Sequence, residues 1–326
     1  MCKTICVYGW YGQHTNNLGD NLFRNAFHRM FPDADIIFTD AINEDTPVKD
    51  VSFFVFGGGS FLFSEPNISQ KAFEIIKQKP IFYIGVGAET AIHRAHIELM
   101  TLAKLIAIRN DNETILDKVR RINPNTIYVP DLVYSISYNA PDTERKNSVL
   151  VVPNLELIPT HKDAYWQIAA WQHYKFYIAE ALDALIERGI GVDFLSFCNH
   201  SNVSDSSAAT EIINHMEHRN HINIYEHTND LQKELARIRS YKAVITQRYH
   251  GIILSELANT AHIILYHHDK LKYHNPSSGY KIDYYAASKD KLIEAFDQIY
   301  DKPCNFRPIN QDIFEGLAKE VYQLIG

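Results

Sequence analysis

The sequence predicts an α/β protein of two doubly wound, Rossmann-like domains facing one another across a cleft. Short β-branched and aromatic runs alternate with amphipathic helical patterns, the mark of βαβ units and parallel sheets. The alternation occurs twice, and a polar, Pro-containing stretch without periodicity, Ser137 to Asn147, separates the two series. A length of 326 residues fits two domains at roughly 100–200 residues each. Residues 1–140 are read as the first domain, and 148–326, with a terminal helix, as the second.

In the first series, strands are expected at Thr4 to Tyr8, Asp35 to Phe38, Val51 to Phe56, Pro80 to Ile84, Leu105 to Ile108 and Thr126 to Val129. Helices fit between them at Asp20 to Met30, Asn67 to Lys77 and Asn110 to Arg121. The second series has strands at Ser148 to Val152, Gly191 to Phe197, Ile222 to Tyr225, Ala243 to Thr246 and His262 to Tyr266. Phe176, Leu182, Leu185 and Ile186 recur near the helical period, and Gly189 stops that helix. Phe314, Leu317, Val321 and Leu324 give the last helix an apolar face.

Composition narrows the function. Hydrophobic residues make up 46% and charged residues 22%, ordinary globular usage. With 32 basic and 39 acidic side chains the net charge is −7, which argues against a broad nucleic-acid or anionic-membrane footprint. Any anionic ligand must meet a local cluster. The chain has no apolar run of the ~18 residues needed to cross a bilayer and no signal peptide, so a cytoplasmic location is expected, with attachment at the inner membrane face left open. Four cysteines, Cys2, Cys6, Cys198 and Cys304, form no CxxC pair, which suits a reducing compartment. The 16 His, 19 Tyr and 17 Phe suit proton transfer and stacking on sugars.

In doubly wound domains, ligands meet the strand-to-helix junctions. The strongest junction is Gln247, Arg248, Tyr249, His250 and Gly251, leading from a strand into a helix. The helix start offers N–H groups, Arg248 a two-pronged anion contact, and His250 a proton near neutral pH. Capping and a surface ion pair are the competing reading. At Asn16 to Asp20, Gly19 permits a tight turn, while Asp20 caps the helix or takes a proton from a substrate hydroxyl. Gly57, Gly58 and Gly59 lack the Lys of a Walker loop and either approach a ligand or pack against a helix. Arg109 binds a ligand or orients its turn, and Lys270 is a candidate cleft cation. His267 and His268 are expected to face opposite sides, and His215, His218 and His221 to be favourable charges at a helix end, so no metal site is expected.

Taken in order, NLGD (Asn17 to Asp20), FGGG (Phe56 to Gly59), RND (Arg109 to Asp111), PDL (Pro130 to Leu132) and QRYHG (Gln247 to Gly251) resemble the polysaccharide pyruvyl transferase family, over about Asn17 to Lys270. The resemblance implies a GT-B-like fold and the transfer of pyruvate from phosphoenolpyruvate to a sugar as a cyclic ketal, with phosphate released. It implies no cofactor beyond this co-substrate, and a saccharide acceptor, free or lipid-linked. Arg248, His250 and Gly251 fall on the family's Arg-x-His-Gly motif, implying donor binding and acid/base work, while Asn17, Gly19 and Asp20 fall on its NxGD motif. Where many members carry an Arg after the first strand of the second domain, this chain has Asn154, so Arg109 or Lys270 is the candidate replacement. Gly57, Gly58 and Gly59 are assigned with Asn17 and Gly19 to the acceptor side, and Trp10, Tyr11, Trp166 and Trp171 are aromatic candidates for the sugar. A nucleotide-sugar glycosyltransferase and a non-catalytic saccharide-binding protein remain the alternatives.

Overall fold

The computed structural model describes residues 3–11, 16–89, 91–137, 144–154, 165–199, 204–274, 279–300, 302 and 306–325. The chain divides into two compact units. The first comprises Met1–Thr15, Gly19–Ile136 and Ile309–Gly326, and the second Asn16–Leu18 and Ser137–Pro308.

The first unit holds a six-stranded, all-parallel sheet built from β1 (Lys3–Tyr8), β2 (Ala34–Thr39), β3 (Phe53–Gly59), β4 (Ile81–Val86), β5 (Leu105–Ile108) and β6 (Thr126–Tyr128), in the order β2-β1-β3-β4-β5-β6. Its helices are α1 (Leu18–Met30), α2 (Gln70–Ile76), α3 (Arg94–Leu102) and α4 (Glu113–Arg120). β3 and β4 are buried along their whole length, as apolar runs covered on both faces must be. Phe56 stacks on Tyr83 at 4.8 Å, and Phe53 meets Phe31 and Phe82 edge-on.

The glycines expected to follow the third strand are its last three residues: Gly57 pairs with Ile84 and Gly59 with Val86. Helix packing explains two of them. A Cβ on Gly57 would lie 2.3 Å from Phe27 Cζ, and one on Gly58, where φ is +74°, 2.6 Å from the Phe23 ring. The aromatic face of α1 therefore fits only where the strand has no side chains.

The second unit repeats the plan with β7 (Lys146–Val152), β8 (Gly191–Ser196), β9 (Ile224–Glu226), β10 (Tyr241–Thr246), β11 (Ala261–Tyr266) and β12 (Gly279–Asp283), in the parallel order β12-β11-β10-β7-β8-β9. Helices α5 (Tyr165–Glu187), α6 (Asp205–Ile213), α7 (Leu231–Arg239), α8 (Tyr249–Leu257), α9 (Asp269–Lys272) and α10 (Lys289–Ile299) complete it. In α5, Trp171, Tyr174, Ile178, Leu182 and Leu185 form the buried stripe. Phe176, expected on that stripe, is 54% exposed because it falls two positions from Tyr174 and Ile178 and so on the far side. Gly189 ends the helix region in the left-handed conformation, φ +77°.

Four further expectations change. The terminal helix, α11 (Asp312–Ile325), belongs to the first unit rather than the second. Its Tyr322 meets Phe31 edge-on at 5.6 Å, and Gln311 just before it donates to the Tyr134 carbonyl. Amphipathicity demanded a partner for Phe314, Leu317 and Val321 but did not say which unit supplies it. Leu324 lies outside the buried stripe, 40% exposed. The separating stretch is also shorter than expected, since Lys146 and Asn147 already belong to β7; residues 138–143 lie outside those described. Finally, Asn16–Leu18 belongs to the second unit although Leu18 opens α1, the rest of which lies in the first. Of the cysteines, Cys6 and Cys198 are buried thiols, with burial pushing the Cys6 thiol up to about 12; Cys2 and Cys304 lie outside the described residues.

His96, wholly buried among Phe56, Phe61 and Tyr83, makes stability depend on pH. Burial, and secondarily the neighbouring His93, pushes its pKa down to about 4. The unfolded chain therefore takes a proton below about pH 6.5 that the folded chain refuses. Stability is lost as the pH falls through that window and levels off near pH 4, a loss of about 2 kcal/mol by pH 5. Thermal melts at pH 7 and pH 5 should show this drop in the wild-type protein and a smaller one in His96→Phe.

Candidate functional site

In the second sheet the winding reverses between neighbouring strands β7 and β10: β8 and β9 lie to one side, β11 and β12 to the other. The carboxyl end of such a reversal is where doubly wound sheets form their ligand crevice. There the Asn154 backbone N–H donates to Gln247 Oε1 (3.1 Å), and the Gln247 N–H donates to the Val152 carbonyl (3.0 Å). Asn154 is buried, and its Nδ2 lies 3.4 Å from His267 Nε2. It is thus a neutral amide that ties together the ends of three strands.

Arg248 is the N-cap residue of α8. Thr246 Oγ1 accepts its backbone N–H (3.1 Å), fixing the strand-to-helix corner. The same hydroxyl explains Gly251, where a Cβ would sit 2.2 Å from it. The side chain of Arg248 is not the surface ion pair of the competing reading. Its Nε and Nη2 donate to Asp205 Oδ2 (3.1 Å) and Oδ1 (2.5 Å), and both residues are buried.

Two positions on, His250 is half-buried in the first turn of α8, with its ring 5.7 Å from that of Tyr249. The Lys270 ammonium lies over the Tyr249 ring at 5.7 Å, and His274 meets the same ring edge-on. The structure therefore gathers Arg248, His250, Gly251 and Lys270 around the start of one helix. His267 and His268 do not diverge as expected; their rings meet at 4.2 Å because β11 ends at Tyr266 and strand alternation ends with it. His215 lies against Phe176 and His218 beside Glu187, both beyond the end of α6. Among the described residues, no group of three His, Cys, Asp or Glu side chains is arranged to hold a metal ion.

In the first sheet the reversal falls between β1 and β3. Asp20 lies within the first turn of α1 rather than at its cap, and a Cβ on Gly59 would meet Trp10 (3.7 Å) and Asp20 Oδ1 (3.8 Å). Gly59 is thus the one glycine of its run that stands beside a candidate catalytic side chain. Arg109 is buried, with Nη1 on Asp131 Oδ2 (2.7 Å) and Nη2 on Ser60 Oγ (2.8 Å), so its guanidinium holds together the ends of three chain segments within this unit. Asn112 caps the next helix. Asn17, grouped by sequence with Gly19 and Asp20, bridges to Cys198 within the second unit.

Of the aromatic candidates, Trp10 and Trp166 are exposed. Tyr11 and Trp171 are buried: the Tyr11 hydroxyl donates to the Gly57 carbonyl, and Trp171 Nε1 donates to Glu211.

The polysaccharide pyruvyl transferase family model matches residues 17–269, which include Asn17, Asp20, Gly57 to Gly59, Arg109, Arg248 and His250 and end one residue before Lys270. The chain belongs to the polysaccharide pyruvyl transferase family. No curated protein matches its sequence. Among solved structures, UDP-GlcNAc 2-epimerase from Methanocaldococcus jannaschii aligns with 99% of this chain and 100% of its own, at a TM-score of 0.64 and 10% identity. Staphylococcus aureus MnaA, solved with UDP, gives a TM-score of 0.56 at 9% identity over 98% and 91% of the two chains. A putative UDP-N-acetylglucosamine 2-epimerase from Listeria monocytogenes gives 0.53 at 10% identity, again over 98% and 91%. At these identities the likeness is one of fold, and that fold is GT-B.

Within this member of the family, sequence reasoning passed over Asp205, Asp131 and Gln247. Asp131 stood in the quoted PDL run without a role, and its N-cap bond to Val133 is all that its local sequence suggests. Gln247 is buried, and its Nε2 has no hydrogen-bond partner among the described residues. No helix among the described residues is long and apolar enough to cross a membrane.

Proposed function

We propose that the protein transfers pyruvate from phosphoenolpyruvate to a sugar of a surface polysaccharide or its precursor, leaving a cyclic ketal and releasing phosphate. The observation that carries this reading is the grouping of Arg248, His250, Gly251 and Lys270 at the winding reversal of the second sheet, in a chain of this family. Phosphoenolpyruvate brings a phosphate and a carboxylate, so its site needs cations and N–H groups that converge. Arg248, the first turn of α8 and Lys270 are of that kind, and all belong to one unit. Arg109 is engaged with Asp131 and Ser60 in the other unit, so Lys270 is the better replacement for the cation absent at residue 154.

In this reading His250 protonates the methylene carbon of the enol phosphate. One sugar hydroxyl then adds to C2, and its proton replaces the one that His250 gave up. A second hydroxyl displaces the phosphate, whose oxygen keeps the bonding electrons and takes up the remaining proton, and the methylene becomes a methyl group. Asp20 takes the role of base or of orienting group for the acceptor, which aromatic Trp10 beside it suits. The acceptor is a saccharide, free or lipid-linked, and the chemistry calls on no metal or nucleotide.

Thermal-shift measurements with phosphoenolpyruvate, inorganic phosphate and UDP-GlcNAc test the donor. Stabilisation by phosphoenolpyruvate above that by phosphate is expected. Stabilisation by the nucleotide sugar with no response to phosphoenolpyruvate would instead assign a glycosyltransferase.

A further inference from the structure

We propose that Asp205 is the positioning residue for Arg248, and that the first sequence motif of the chain braces it. The inference rests on the donor reading above and concerns how the guanidinium is aimed. Asp205 is fully buried, and four N–H donors converge on its carboxylate. Arg248 Nε (3.1 Å) and the backbone N–H groups of Phe197 and Cys198 (3.0 Å each) donate to Oδ2, and Arg248 Nη2 (2.5 Å) donates to Oδ1. A carboxylate lying along the Nε–Nη2 edge fixes both the plane of a guanidinium and the direction of its remaining edge. A long side chain at the mouth of a helix otherwise samples several rotamers, so holding one of them is what this pair adds to anion binding.

The loop that carries two of those donors is itself held. Leu18 N–H donates to the Phe197 carbonyl (2.8 Å), and Asn199 N–H donates to the Asn16 carbonyl (2.8 Å). Asn17 bridges to Cys198, and His227 Nε2 stands 3.2 Å from the Asn16 carbonyl. Asn16–Leu18 is therefore tied by its backbone to the second unit. Through Phe197 to Asn199 and Asp205 it reaches Arg248, which links Asn17 and Leu18 to Arg248 within the second unit although more than two hundred positions separate them.

The test compares Asp205→Asn and Asp205→Ser with the wild-type protein, alone and on an Arg248→Ala background. Phosphoenolpyruvate and inorganic phosphate affinities are measured by calorimetry, and KM and kcat by phosphate release. Serine keeps a hydroxyl acceptor for the loop N–H groups but does not span the guanidinium edge, so it separates aiming from loop folding. Each single variant should weaken phosphoenolpyruvate binding roughly 10–100-fold, the scale typical of residues that orient a ligand-holding side chain, with KM moving more than kcat. On the Arg248→Ala background neither should change affinity further. Wild-type affinity in Asp205→Ser, or an equal loss with and without Arg248, would overturn the proposal while leaving the donor assignment standing. A wild-type protein that binds phosphate but not phosphoenolpyruvate would overturn the donor assignment alone, and one that binds neither would overturn both.

Discussion

His250→Ala should reduce phosphate release from phosphoenolpyruvate by about 10²–10⁴-fold, the usual contribution of a positioned general acid. The substitution should leave the fold intact, because the ring is half-buried in the first turn of α8 and the helix is anchored by Arg248 and by the buried run Gly251 to Glu256. Phosphoenolpyruvate affinity should stay close to that of the wild-type protein, since the phosphate and carboxylate contacts assigned to Arg248, the helix N–H groups and Lys270 remain. A loss confined to kcat identifies a proton-transfer role. Turnover near the wild-type rate would remove His250 from the mechanism.

Arg248→Ala should behave differently, with a large effect on stability as well as on donor binding. Removing the guanidinium takes the charged partner from the buried Asp205 carboxylate, which keeps the Phe197 and Cys198 N–H groups, and breaking a buried ion pair from one side typically costs about 3–5 kcal/mol. Urea unfolding should register that loss, and calorimetry should show phosphoenolpyruvate binding reduced. Replacing Asp205 as well should restore part of the stability without restoring the affinity, because the uncompensated charge is gone while the anion contact is still missing. Unchanged affinity in the single variant would take Arg248 out of the donor site.

Both residues are legible in the sequence alone. Both were placed by local rules: a β-branched run ending at Thr246, then Arg248 and His250 leading into an apolar helix. The same rules found Leu105 to Ile108 to the residue and most other strands to within two positions, because covered parallel strands read as uninterrupted apolar runs. They missed β12, an edge strand whose Gly279 to Asp283 carries polar residues, and α3, where Arg94, His96 and Glu98 interrupt the apolar pattern. They also left Gly57 and Gly58 open between a ligand loop and a packing device. Only the approach of Phe23 and Phe27 decides that, and it is a contact between a strand and a helix about thirty residues earlier. Asp205 was out of reach for a similar reason. From sequence it reads as a first-turn acidic residue, and what distinguishes it is an Arg 43 positions away. Placement of α11 likewise depended on a partner surface that its own periodicity does not name.

The central claim is that this chain makes pyruvate ketals on a surface glycan, with His250 carrying the chemistry. Mass spectrometry of the surface polysaccharide from three strains of the source organism tests it most directly: the parent, a deletion of this gene, and the deletion complemented with His250→Ala. The account predicts a pyruvylated sugar in the parent that disappears in the deletion and does not return with His250→Ala. An identical polysaccharide in parent and deletion, or a ketal restored by the variant, would contradict it.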